Sequence, residues 1–113
     1  MIEQCVDQDT LDELVEIMGD DMQMLIDSYI LDTRQKLEQF AVLDPNEDQE
    51  PILRLAHSLK GSSRNLGVIT FANYCESIED TARNGRLAAS SIDLAKMNKL
   101  FEEAVLAIGK NLS

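Results

Sequence analysis

An all-α fold is predicted by three features of this 113-residue chain. Apolar residues recur at spacings of three and four through four long segments, no stretch alternates apolar and polar residues as a half-buried strand would, and the connections are short. Four such amphipathic segments pack most simply as an antiparallel four-helix bundle, up-down-up-down, with a short additional N-terminal helix laid across one end. The length suits one core, so residues 1–113 are expected to form a single domain, with helices near 10–18, 20–42, 50–66, 69–84 and 90–110.

Met1 to Asp9 is polar and expected to be loose. Thr10 with Glu13 fits a capping box opening the first helix; Leu11, Leu14, Val15 and Met18 then form one face and Gly19 ends it. Asp20 and Asp21 suit the positive end of a second helix, in which Met22, Ile26, Tyr29, Thr33, Leu37 and Phe40 keep helical spacing for about five turns. Met24, Leu25 and Leu31 lie off that stripe, either covered in part by the first helix, the simpler reading, or forming a partner-binding surface.

Asp44 to Glu50 is a charged connection, and Pro51 fits the first turn of the third helix, where a missing N–H does no harm. The third helix is predicted to run to Leu66, with Gly67 as its left-handed terminus. Phe71, Tyr74, Cys75, Ile78 and Ala82 line the fourth, which closes at Asn84-Gly85, and Cys75 reads as a small buried hydrophobe. Ser90 with Asp93 is expected to open the fifth, whose Leu94, Met97, Phe101, Ala104 and Ile108 hold the apolar spacing.

The chain carries 21 acidic against 10 basic residues, a formal net charge of -11. That charge argues against nucleic acid and anionic membrane surfaces as partners. The N-terminal residues lack the basic start and apolar run of a signal peptide, so a cytoplasmic location is expected. One histidine and two distant cysteines make a zinc site or a structural disulfide improbable, and no cofactor is implied.

The single histidine, His57, lies in ILRLAHSLKGSSRNLG, residues 52–67. At about 100° per residue, Ile52, Leu55, Ala56, Leu59, Ser62, Ser63 and Leu66 fall on one side of this helix and Arg54, His57, Gly61 and Arg64 on the other. His57 therefore points to solvent. No acidic residue occurs between Pro51 and Cys75, which places the imidazole in a basic strip with Arg54, Lys60 and Arg64. A histidine on a polar helix face is usually only a solvated side chain. Here a glycine one turn later, at a helix cost of ~1 kcal/mol relative to alanine, calls for a reason, and clearance beside the imidazole is one.

His57, Leu59, Lys60, Gly61, Ser62, Ser63, Leu66 and Gly67 strongly resemble the signature of histidine-containing phosphotransfer (HPt) domains of multistep two-component phosphorelays. The similarity is most specific over Leu53 to Gly85, where Cys75, Glu76, Ala82 and Gly85 look like the family's following helix. It implies a phosphocarrier without ATP binding or autokinase activity. His57 would accept a phosphoryl group from the aspartyl phosphate of a receiver domain and pass it to a response-regulator aspartate. Lys60 is then suited to stabilising phosphoryl charge, Gly61 to steric clearance, and Leu53, Arg54 and Arg64 to docking the acidic receiver. The magnesium ion would belong to that receiver. Glu79 sits at the edge of the fourth helix's apolar stripe, where the family often has a polar partner for the histidine. The usual residue there is an uncharged amide, so a carboxylate either fixes the imidazole tautomer or simply pairs with Lys60.

Two other readings compete. A histidine-kinase dimerisation domain fragment would carry an acid directly after the histidine and a proline soon after, whereas Ser58, Leu59 and Lys60 follow here. A non-transferring helical adaptor would most simply show a replaced histidine. A bundle that buries its own stripes needs no second copy, so a monomer is expected, either freestanding or cut from a larger kinase.

Overall fold

Met22, Ile26, Tyr29, Thr33, Leu37 and Phe40, the stripe read from the second helix, are all buried. The computed structural model describes residues 5–112, and the side chains of all of these except Ala89, Asn111 and Leu112. Among the described residues five α-helices follow in order: α1 (Gln8–Met18), α2 (Met22–Val42), α3 (Gln49–Asn65), α4 (Thr70–Arg83) and α5 (Leu94–Leu112). Single 3-10 turns precede α2 and α5, at Gly19–Asp21 and Ala89–Ser91. Among the described residues there is no strand, only an isolated antiparallel bridge between Val6 and Val68.

One core joins the helices. Ile52, Ala56 and Leu59 from α3 meet Phe71, Cys75 and Ile78 from α4 and Met97, Phe101, Ala104 and Ile108 from α5. Phe101 links three helices, its ring edge-on to Tyr29 at 5.9 Å and tilted against Phe71 at 5.4 Å. Burying such large apolar side chains contributes about 1.5–3 kcal/mol each, which outweighs the weak preference of any short helix to form alone. Cys75 is fully buried, and burial pushes its thiol up to about 12. Both cysteines are free.

The element starts differ from the sequence reading. Asp7, not Thr10, caps α1: its carboxylate accepts from the Asp9 backbone N–H at 3.2 Å and from the Thr10 hydroxyl at 2.8 Å. The cap can move upstream because residues 5–7 are not loose. Val6 is buried, Asp7 N–H donates to the Gly67 carbonyl at 2.7 Å, and Ile69 N–H donates to the Cys5 carbonyl at 2.8 Å. The rest of the expected loose stretch, residues 1–4, lies outside the described residues. At the other end Ser90 sits in the 3-10 turn, and Asp93 starts α5 by accepting from Lys96 N–H at 3.0 Å. Extended backbone at Ile92 separates the two, so a helix cannot run through from Ser90.

Gly67 is required twice over at the α3–α4 turn. Its φ is +76°, and a Cβ there would meet the Asp7 carbonyl oxygen and the Thr10 Cβ, each at 3.0 Å. Of the residues off the α2 stripe, Leu25 is half-buried and shares a groove with Leu14 of α1, while Met24 and Leu31 remain 70% and 62% exposed. No helix among the described residues is long and apolar enough to cross a membrane.

Candidate functional site

Burial of Ile52, Ala56, Leu59 and Ser63 fixes the rotation of α3, and so turns His57 outward. On the buried side the Ser63 hydroxyl and the Tyr29 hydroxyl are hydrogen-bonded at 2.7 Å, which ties α3 to α2. On the outer side the His57 side chain is 67% exposed. Leu53 is half-buried beside it and Arg54 is exposed. Gly61 has open space where its Cβ would be, so nothing within the fold itself excludes a side chain there.

The imidazole is not alone on its face. Glu79 of α4 is fully buried, and its Oε2 lies 2.6 Å from His57 Nδ1. The same oxygen accepts from Arg83 Nη2 at 2.8 Å, while Oε1 lies 2.5 Å from Lys60 Nζ. Burial opposes ionisation of Glu79, but the contacts from Lys60, His57 and Arg83 outweigh it and hold the carboxyl down at about 2. Glu79 is therefore a carboxylate at neutral pH and can only accept. His57 Nδ1 must carry the proton of that hydrogen bond, which leaves the lone pair of the neutral ring on Nε2.

Sequence reasoning left open whether Glu79 fixes the tautomer or pairs with Lys60; both contacts form, one on each oxygen. Lys60 is only 19% exposed and is held by Glu79. Arg83 was missed. Its signal was present in the i,i+4 spacing from Glu79, which puts the two side chains on one face of α4. The recess beside the imidazole is lined by Leu53, Arg54, His57, Glu79 and Arg83.

The basic strip is acid-free along the chain but not in space. Arg64 is paired with Glu76 of α4, Arg54 lies 3.4 Å from Glu50, and Arg83 also approaches Asp80 at 3.4 Å. Each cation near His57 thus faces a carboxylate: Lys60 and Arg64 meet Glu79 and Glu76 across the α3–α4 seam, Arg54 meets Glu50 within α3, and Arg83 meets Glu79 and Asp80 within α4. Among the described residues, no group of three or more His, Cys, Asp or Glu side chains is placed to hold a metal ion.

An outward histidine and an open glycine one turn on share the outer face of α3 in an all-helical fold. The model of the Hpt domain family matches residues 8–108, and the chain belongs to that family. Histidine-containing phosphotransfer protein B from Pseudomonas aeruginosa PAO1 is similar in structure, with a TM-score of 0.85 and 29% sequence identity over 98% of this chain and 97% of the other. No curated protein matches the sequence. The chain is therefore a histidine phosphotransfer protein of phosphorelays. Proteins of this family are phosphocarriers rather than ATP-binding kinases, need no cofactor, and interact with receiver domains of kinases and response regulators.

Proposed function

We propose that His57 is the phosphoacceptor, taking a phosphoryl group from the aspartyl phosphate of a hybrid-kinase receiver and passing it to the aspartate of a response regulator. The observation that carries this reading is the hydrogen bond from His57 Nδ1 to Glu79, which commits the exposed ring to an Nε2 lone pair. The nucleophile needs no further activation, since with Nδ1–H held by Glu79 the lone pair of the neutral ring lies on the exposed side. Gly61, one turn on, leaves room for the incoming domain. Leu53, Arg54 and Arg64 supply a contact rim of one apolar and two cationic side chains. Lys60 acts on phosphoryl charge when its bond to Glu79 loosens.

Residues 1–113 act as one domain, an up-down-up-down antiparallel bundle with α1 at one end, working as a cytoplasmic monomer. Magnesium enters with the partner receiver. A phosphorylated receiver mixed with this protein tests the assignment: His57→Gln is expected to keep the helical circular dichroism spectrum and to abolish acid-labile phosphate uptake. Labelling of that variant at the wild-type level sinks the assignment.

A further inference from the structure

Once Nε2 carries phosphate, the imidazole can exist in two forms with opposite needs. With Nδ1 protonated the ring is a phosphoimidazolium whose Nδ1–H seeks an acceptor; with Nδ1 bare it is a neutral phosphoimidazole whose Nδ1 seeks a donor. Glu79 offers oxygens only. Its Oε2 is 2.6 Å from Nδ1, and its carboxyl, held at about 2, has no proton to give at neutral pH. A bare Nδ1 would bring two lone-pair-bearing atoms together at that distance, beside a carboxylate shielded from water.

We infer that Glu79 is a positioning residue that keeps the Nδ1 proton on His57 through the whole cycle, so that the phosphorylated ring stays in its readily cleaved phosphoimidazolium form. The carrier is then built for fast onward transfer rather than for storing phosphate. The inference rests on His57 being the phosphoacceptor.

The electrons and protons balance without a proton transfer in either direction. Inbound, the Nε2 lone pair forms the N–P bond, the P–O bond to the donor aspartate breaks, and its electron pair leaves on the donor carboxylate. The ring gains a positive charge and keeps Nδ1–H. Outbound, an acceptor carboxylate forms the new O–P bond, and the P–Nε2 electron pair returns to Nε2, releasing a neutral imidazole that still carries Nδ1–H. Without that proton the leaving group would be an imidazolate anion, and the step would wait for a proton from water.

The neighbouring charges act in known directions. Arg54 from α3 and Arg83 from α4 line the recess beside the ring, Lys60 from α3 lies on the other oxygen of Glu79, and cations alone would drive a proton off the ring. Glu79 meets Lys60 and Arg83 directly, Arg54 is turned toward Glu50 at 3.4 Å, and Arg64 is paired with Glu76. The carboxylate is thus the charge in direct contact with Nδ1.

The whole chain, labelled with nitrogen-15 in histidine and phosphorylated with phosphoramidate, gives the test by nitrogen-15 spectra from about pH 6 to about pH 9, a range spanning ordinary imidazole titration. Wild-type phosphohistidine is expected to show a protonated Nδ1 across that range. In Glu79→Gln the amide can turn its NH2 toward a bare Nδ1, so the ring proton is lost within the range. The phosphohistidine then lives about tenfold longer at the alkaline end, on the order of the margin between a charge-assisted and a neutral hydrogen bond. A bare Nδ1 in the wild type at about pH 8 overturns the inference whatever the variant does. Equal ring titration and equal lifetime in the two proteins also overturns it. Failure of His57 to take up phosphate overturns the proposed function instead, and is recognised by the absence of any phosphohistidine resonance.

Discussion

On the inner face of α3, Ser63 is fully buried and its hydroxyl meets that of Tyr29 from α2 at 2.7 Å; on the outer face, His57 meets Glu79 from α4 at 2.6 Å. The distances are nearly equal but the physics differs. Two hydroxyls can each give and take, carry no charge, and sit where burial pushes the Tyr29 phenol up to about 12. Such a pair is silent at physiological pH and serves to hold α3 at one rotation. The outer pair joins an acceptor-only carboxylate to a ring with two distinguishable nitrogens, half in water, so the place of one proton becomes a chemical property. The neutral contact on the inner face holds α3 in register with the charged one on the outer face. The two glycines of this region divide in the same way: Gly67 is crowded by Asp7 and Thr10, whereas Gly61 faces open space.

The largest expected effect tests the outer face. Gly61→Gln places a side chain one turn from the imidazole, and is expected to lower the rate of transfer from a phosphorylated receiver about a hundredfold, the scale on which misplaced reactants lose rate. Its thermal midpoint should stay level or rise, since glycine in a helix interior is worse than an ordinary residue by up to ~1 kcal/mol. Wild-type transfer by this variant would remove the clearance argument altogether.

The inner face should respond in the opposite manner. Ser63→Ala leaves the Tyr29 hydroxyl buried without its partner, at an expected loss of about 2 kcal/mol in urea unfolding, with phosphate uptake little changed. Adding Tyr29→Phe removes the orphaned hydroxyl, so the double variant should recover part of that loss. Strictly additive losses would show that the pair is not a unit.

A third test separates the faces by pH. Glu79 has a folded-state pKa lowered to about 2 from 4.5, so it contributes stability that is fully present above the unfolded value and lost as pH falls through the folded one. Urea midpoints should therefore decline between pH 4.5 and about 2, and Glu79→Gln should flatten that part of the curve, whereas Ser63→Ala should shift the curve without changing its shape. An unchanged slope in Glu79→Gln would mean that other carboxylates dominate acid unfolding.

Local signals misled where contacts from a distant segment replaced them. Thr10 with Glu13 has the letters of a capping box, but bridging of Val6 to Val68 brought Asp7 into position to cap the helix earlier. Ser90 has the same kind of signature, and the extended Ile92 left Asp93 to cap α5. Apolar periodicity was the more dependable guide, because burial is summed over a whole helix whereas a cap depends on one or two hydrogen bonds.

The sequence by itself determined the stripes of α2, α3 and α5, the outward rotation of His57 and the unusual helical glycine beside it. Each of these follows from helical periodicity within one segment, where neighbours three and four residues apart are fixed by the backbone. Only the tertiary structure decided what His57 faces. His57, Lys60 and Arg83 converge from two helices on the Glu79 carboxylate, and Glu76 answers Arg64 across the same seam. The acid-free window from Ile52 to Tyr74 could not disclose this. Charges act through space, and the acids that meet Lys60, Arg64 and His57 lie one helix away, brought there by the packing of α4 on α3.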